Sequence, residues 1–180
     1  RPHEGVDRGL FVRFIEYERV QNRETYPAWF EAPFGSGLPE SSDTDAFSIT
    51  LPNGYELSFR GYIDRIDLGH QSEPTVQLYD YKTGSTPYLT KTTGGTKFQL
   101  PLYLLAAKSF FDERGETVGA LQASYYQVKP PSSLNVPRGI ESKFDSQTEL
   151  TYFLDEIIPE RLQSISSAIE HGRFQTTLLG

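Results

Sequence analysis

Three short segments carry groups able to do metal or phosphate chemistry: GYIDRID at 61–67, LYDYKTG at 78–84 and QLPLY at 99–103. Side chains two apart on a strand face the same way, so Asp80 and Lys82 project together from the end of a run that begins with Val76 and Leu78. A core-facing strand that ends in a carboxylate and an ammonium is costly unless the charges are paired or hold a metal. A structural salt bridge and a reactive pair both meet that condition. Asp64 supplies a second carboxylate from the preceding strand. Hard cations such as Mg²⁺ take oxygen ligands and use one or two protein carboxylates, leaving water and substrate oxygens to complete the coordination. Asp64 and Asp80 fit that number. Asp67 lies three residues from Asp64 and so belongs on the opposite face, where a surface acid near Arg65 or Arg60 is the simpler reading. Gln99 and Tyr103, four apart, share a helix face and by themselves are ordinary packing residues.

These residues need elements to hold them. Leu10, Phe11, Phe14, Ile15 and Tyr17 recur at helical spacing with Arg13, Glu16 and Arg19 toward solvent, which predicts an amphipathic helix over 10–21. A strand at 28–34 follows, then a loop rich in Gly, Pro and Ser through Asp45. Phe47, Ile49 and Leu51 alternate with polar residues, Asn53-Gly54 turns the chain, and Tyr55, Leu57 and Phe59 alternate again, so a hairpin is predicted whose second arm runs on through Gly61 toward Leu68. A further strand covers 75–81, a Thr- and Gly-rich loop 83–96, and a helix 98–112 whose Pro101 fits only in its first turn. A strand at 117–128 precedes a loop marked by Pro130, Pro131 and Pro137. Ser146 and Glu149 form a capping-box pattern for a last helical stretch, with a break at Pro159 and a stop at Gly172. The order predicts one mixed α/β domain around a central sheet flanked by helices.

Composition narrows the classes. With 180 residues, 37% of them hydrophobic, the chain is long enough for one sizeable core. No run approaches the ~18 apolar residues of a membrane span, which leads to the expectation of a cytoplasmic protein with no membrane partner. The absence of Cys excludes disulfides and Cys-bound metal within these residues. The absence of Met, even at position 1, leads to the expectation of a fragment excised from a longer protein. A net charge of -7 argues against a generic nucleic-acid binder, yet the stretch from Lys82 to Lys108 holds Lys82, Lys91, Lys97 and Lys108 and no acid. Lys91 and Lys97 are therefore the candidate DNA contacts, with solvated loop lysines as the plain alternative.

Taken in order, GYID, DYK and QLPLY resemble the hallmark GxxD, DxK and QxxxY motifs of the PD-(D/E)XK nucleases, specifically the RecB and AddB branch. The resemblance covers about 55–175, and more weakly FEAPFG and EHGRF. It implies a restriction-endonuclease-like fold and a single nuclease domain over 1–180, cut from a helicase-nuclease protein. It further implies DNA phosphodiester hydrolysis, on single strands delivered by a helicase partner or fused motor. By the same resemblance Asp64, Asp80 and the backbone carbonyl of Tyr81 would ligate Mg²⁺ or Mn²⁺. Lys82 would position or activate the attacking water, and Gln99 and Tyr103 would orient the lysine and the DNA backbone. One departure stands out: where the branch carries a His ligand on a leading helix, this chain has Arg13, while His3 precedes the helix. An iron–sulfur cluster, found in AddB-like members, would have to draw its Cys from outside these residues. The rival reading is a degenerate nuclease fold that binds DNA or scaffolds a helicase complex. A third, a small-molecule or carbohydrate site, needs an aromatic cleft away from Asp80.

Overall fold

A computed structural model describes residues 9–20, 24–35, 47–86, 88–94, 96–128 and 138–173. Helix α1 (Leu10–Val20) leads into β1 (Thr25–Phe34). The hairpin β2 (Phe47–Thr50) and β3 (Glu56–Phe59) follows, then β4 (Gly61–Gly69) and β5 (Thr75–Lys82). A single helical turn α2 (Leu89–Thr93) and the long α3 (Gln99–Glu113) carry the chain to β6 (Ala120–Gln127) and the two-residue β7 (Arg138–Gly139). After a 3₁₀ turn at Ile140–Lys143, the fold closes with α4 (Gln147–Tyr152) and α5 (Ile158–Glu170).

The main sheet has the order β1-β4-β5-β6-β7, and its mixed character fits the α/β class read from the sequence. Strands β1, β4 and β5 are antiparallel neighbours, whereas β5 and β6 run parallel with α2 and α3 as the crossover. On one face lie α3 and the α4–α5 arm, whose Leu100, Leu104, Phe153 and Ile158 pack into one core with Val76, Leu78 and Ala123. On the other face lies α1, with Phe14 at 5.7 Å from Tyr81 and 5.5 Å from Tyr126 between ring centroids. Strand β1 is the edge, which is why it tolerates Pro27 and Pro33.

Several expectations change in the details. The second arm of the predicted hairpin does not continue: β3 pairs only with β2, and at Arg60 the chain crosses into the main sheet. That crossing is tight, since a Cβ on Gly35, at φ 82°, would sit 2.0 Å from the Phe59 carbonyl oxygen. The loop 83–96 contains α2, whose Leu89 and Thr92 are buried. Phe11 and Ile15 on α1, expected inward, are exposed, while Phe14, Tyr17 and Glu18 turn toward the sheet. Pro159 does not break the last helix. A π turn at Phe153–Ile157 precedes it, widening the backbone where the proline lacks an N–H and its ring would meet the carbonyl four residues back. The Ser146 hydroxyl does cap Glu149 N–H, but the Glu149 carboxylate bonds the N–H of Asp145 instead of closing the box on Ser146. The loop prolines 130, 131 and 137 and residue His3 lie outside the described residues.

Candidate active site

The end of β5 holds the cluster. Asp80 is 2% exposed, on the face of β5 shared with Val76 and Leu78 and covered by α3. Its Oδ1 accepts a hydrogen bond from Gln99 Nε2 at the start of α3, and its Oδ2 lies against Lys82 Nζ. Lys82 also donates to Gln99 Oε1 at 3.0 Å, and its ammonium stands 5.5 Å from the centre of the Tyr125 ring. Gln99 Nε2 reaches Tyr103 Oη at 3.1 Å, one helical turn on. Both ends of one carboxamide are thus engaged, by a carboxylate and an ammonium, its NH₂ donating and its oxygen accepting.

Asp64 joins from β4. Ladder pairing between β4 and β5 runs from Leu68 with Val76 to Arg65 with Tyr79 and ends there. In place of the next pair, the Asp64 carboxylate takes the backbone N–H of Tyr81 at 2.6 Å. Asp64 is close enough for its charge to act on Asp80. Burial pushes the Asp80 carboxyl up from its ordinary value, Lys82 and Gln99 oppose this, and Asp64 adds to it. Burial likewise pushes the Tyr103 phenol up to about 12, with the charges of Asp80, Asp64 and Glu31 contributing. Tyr103 therefore stays a neutral hydroxyl at any physiological pH.

A hard divalent cation suits this arrangement. The donors are oxygens, and the buried Asp80 Oδ2 has no hydrogen bond of acceptable geometry although the Lys82 ammonium is beside it. We read that contact as an ion pair short of a formed hydrogen bond, leaving a lone pair for a ligand. Among the described residues no three His, Asp or Glu side chains gather at one point, so a cation here would rest on two carboxylates and borrow its other oxygens.

Other positions sort more simply. Asp67 turns to the opposite face from Asp64, as its spacing requires, yet it is fully buried against Arg65 and not a surface acid, because α1 covers that side of β4. Lys91 and Lys97 are both exposed, on α2 and just beyond it. Helix α2 itself lies beside the cluster, its buried Thr92 near the Tyr125 hydroxyl under Lys82 although the Thr92 Oγ1 forms no hydrogen bond among the described residues. Lys108, from the same acid-free stretch, is turned away and paired with Asp155 at 2.9 Å. Arg13 is exposed on α1, in the part of the helix nearer the end of β5, since Phe14 meets Tyr81 while Glu18 meets Arg65 further back. His70 is exposed with its ring 5.0 Å from that of Tyr26, and the exposed His171 ends α5 with Nδ1 2.7 Å from the Ser167 carbonyl. Glu31 is not singled out by spacing. It stands on β1 between the residues that pair with Arg65 and Ile63, with φ at 49°, and its charge reaches Tyr103. An acid between aromatics in FEAPF is the available signal.

Residues 6–177 match the family model of the PD-(D/E)XK nuclease superfamily. The chain belongs to that superfamily. Asp64, Asp80 and Lys82 gather at one end of the sheet within the matched residues. It is 26% identical over 173 residues to an ATP-dependent helicase/deoxyribonuclease subunit of Oceanobacillus iheyensis, covering 90% of this chain and 14% of that protein. A relative of the same name from Symbiobacterium thermophilum is 33% identical over 134 residues, 67% of this chain and 11% of the relative. The Gene 69 protein of Mycobacterium phage L5 is 28% identical over 131 residues, 71% of this chain and 38% of its own length. The chain thus spans well under half the length of these relatives.

Proposed function

We propose that this PD-(D/E)XK domain is a metal-dependent deoxyribonuclease, working as an exonuclease on single-stranded DNA delivered by a helicase during double-strand-break repair in the cytoplasm. The observation that carries the hydrolytic reading is the Gln99 carboxamide bonded to both Asp80 and Lys82, with Asp64 fastened one residue away at Tyr81 N–H. The helicase partner and the DNA substrate are drawn from the names of the relatives.

Asp64 and Asp80, with the Tyr81 carbonyl, would hold Mg²⁺ or Mn²⁺, which when bound supplies Lewis-acid polarisation of the scissile phosphate. Lys82 supplies a compact positive charge at the rim of the buried carboxylate, placed to orient the attacking water and to stabilise charge developing on phosphate. Gln99 bonds that ammonium and the Asp80 carboxylate at once and so fixes how the pair is oriented. Tyr103, whose oxygen accepts from Gln99, keeps its own proton for a phosphate oxygen. Lys91 and Lys97 lie on the docked α2 segment and would receive the strand as it approaches.

One observation favours the rival, a nuclease fold that binds DNA without cutting: Arg13 stands at the position matched to a His ligand. The third reading has its cleft, about 350 Å³ between β1 and α3 with Trp29, Phe34 and Phe110 in its walls. Phe34 touches Tyr103 at 5.9 Å between rings, so this cleft adjoins the same cluster, and membership of a nuclease superfamily supports the nuclease reading over a separate small-molecule domain. Lys82→Ala separates enzyme from scaffold. Cleavage of single-stranded DNA with Mn²⁺ should fall at least roughly 100-fold, with the circular dichroism spectrum unchanged. Wild-type protein, tested both as this chain and within its longer parent, that binds metal and DNA but never cuts would establish the scaffold.

A further inference from the structure

Arg65 directly follows Asp64 on β4 and so emerges on the other side of the sheet, facing α1. It is 4% exposed, yet it is fully engaged. Nε and Nη2 grip both oxygens of the fully buried Asp67, the latter at 2.6 Å, while Nη1 reaches Glu18 on α1 at 2.6 Å and the Tyr81 hydroxyl at 3.3 Å. The Tyr79 ring lies beneath it at 5.1 Å, and Tyr126 donates its hydroxyl to the second oxygen of Glu18. Burial works against the guanidinium charge, but the bonds to Asp67, Glu18 and Tyr81 outweigh it and raise the group above its ordinary value.

Such a cluster is a weak source of net stability, because well-packed apolar side chains of similar volume serve a core as well or better. Its place gives it another use. The β4–β5 ladder stops at Arg65 with Tyr79, one pair short of Asp64 and Asp80. Beyond that point the spacing of the two strand ends depends on side-chain bonds, and Tyr81 receives both: its N–H bonds Asp64, and its hydroxyl bonds Arg65. Tyr81 is also the residue between Asp80 and Lys82.

We propose that Arg65 is a positioning residue that, from the sheet face opposite the carboxylates, sets the separation of Asp64 and Asp80 by holding Tyr81 and by fastening α1 behind it. The inference rests on the metal-dependent nuclease reading. Its test measures Mn²⁺ affinity by electron paramagnetic resonance alongside cleavage kinetics, with Asp80→Asn as the control that identifies the site. The double variant Arg65→Met with Asp67→Leu replaces the buried ion pair by apolar bulk and leaves the partly exposed Glu18 its bond from Tyr126. It should unfold near the wild-type temperature, yet bind Mn²⁺ roughly tenfold more weakly and lose kcat by a similar factor, with KM for DNA within twofold. Tyr81→Phe leaves the ion cluster and all ring contacts in place and should weaken Mn²⁺ binding about threefold, so it decides the matter if the double variant does not fold. Wild-type Mn²⁺ affinity and kcat in the folded double variant, or in Tyr81→Phe, would reduce the cluster to a structural one. Wild-type protein that binds no Mn²⁺, or binds it equally well after Asp80→Asn, overturns the nuclease reading and this proposal with it.

Discussion

Gln99 is the side chain that joins Asp80 to Lys82, the proposed reactive pair. Asp80 is buried and Lys82 is partly exposed at 27%, and the two are in direct contact, so the orientation of the pair depends on what else holds each side chain. The carboxamide fixes both by donating to one and accepting from the other, without adding a charge. Removing it leaves Asp80 with a second unsatisfied oxygen and lets Lys82 move. Gln99→Ala is therefore expected to lower kcat roughly 10- to 100-fold while changing DNA affinity little, because the lost bonds orient reacting groups and do not hold the strand. Steady-state kinetics over a Mn²⁺ series checks this. An effect confined to KM would mean that Gln99 contacts DNA and does not organise the pair.

The elements deliver these residues by simple rules, and one corner is strict. Gly35 ends β1 where the chain between β3 and β4 crosses beneath it, at a φ that side chains avoid and with the Phe59 carbonyl in the space a Cβ needs. Gly35→Ala should cost about 2 to 3 kcal/mol, lowering the thermal midpoint by roughly 4 to 12 °C in calorimetry. A midpoint within 1 °C or so of wild type would show that the crossing relaxes freely. The same corner shows what was legible in the sequence. Alternation in Phe47, Ile49 and Leu51 and the Asn53-Gly54 turn marked the hairpin, since both are local. The change of sheet at Arg60 was not marked, because the alternation of Tyr55, Leu57 and Phe59 carries on in phase through Gly61 to Ile63 and partner choice is set by distant strands. Asp64, Asp80, Lys82, Gln99 and Tyr103 could be read from type and spacing, and the structure brings all of them together. Glu31, the Arg65 cluster and the inward turn of Glu18 could not. Each is defined by a partner far away in sequence, as the separation of 47 positions from Glu18 to Arg65 illustrates.

Across the whole molecule, a net charge of -7 must be reconciled with a polyanionic substrate. Local distribution offers the answer: Lys82 is at the cluster, Lys108 is paired with Asp155, and Lys91 and Lys97 remain exposed on the segment docked beside Tyr125. If they meet phosphates, Lys91→Ala with Lys97→Ala should weaken single-stranded DNA binding and flatten its dependence on log salt by about 1.4, at roughly 0.7 per contact, leaving metal affinity unchanged. Fluorescence anisotropy at several salt concentrations measures this, and an unchanged slope would make them solvated lysines. The nuclease reading turns on whether Asp64 and Asp80 share a cation. Crystals soaked in Mn²⁺ and measured at the manganese absorption edge should show one anomalous peak between the two carboxylates, at about 2.0 to 2.2 Å from an oxygen of each, and the peak should vanish in Asp80→Asn. A soaked crystal with no peak there, or with manganese bound only elsewhere, would contradict it.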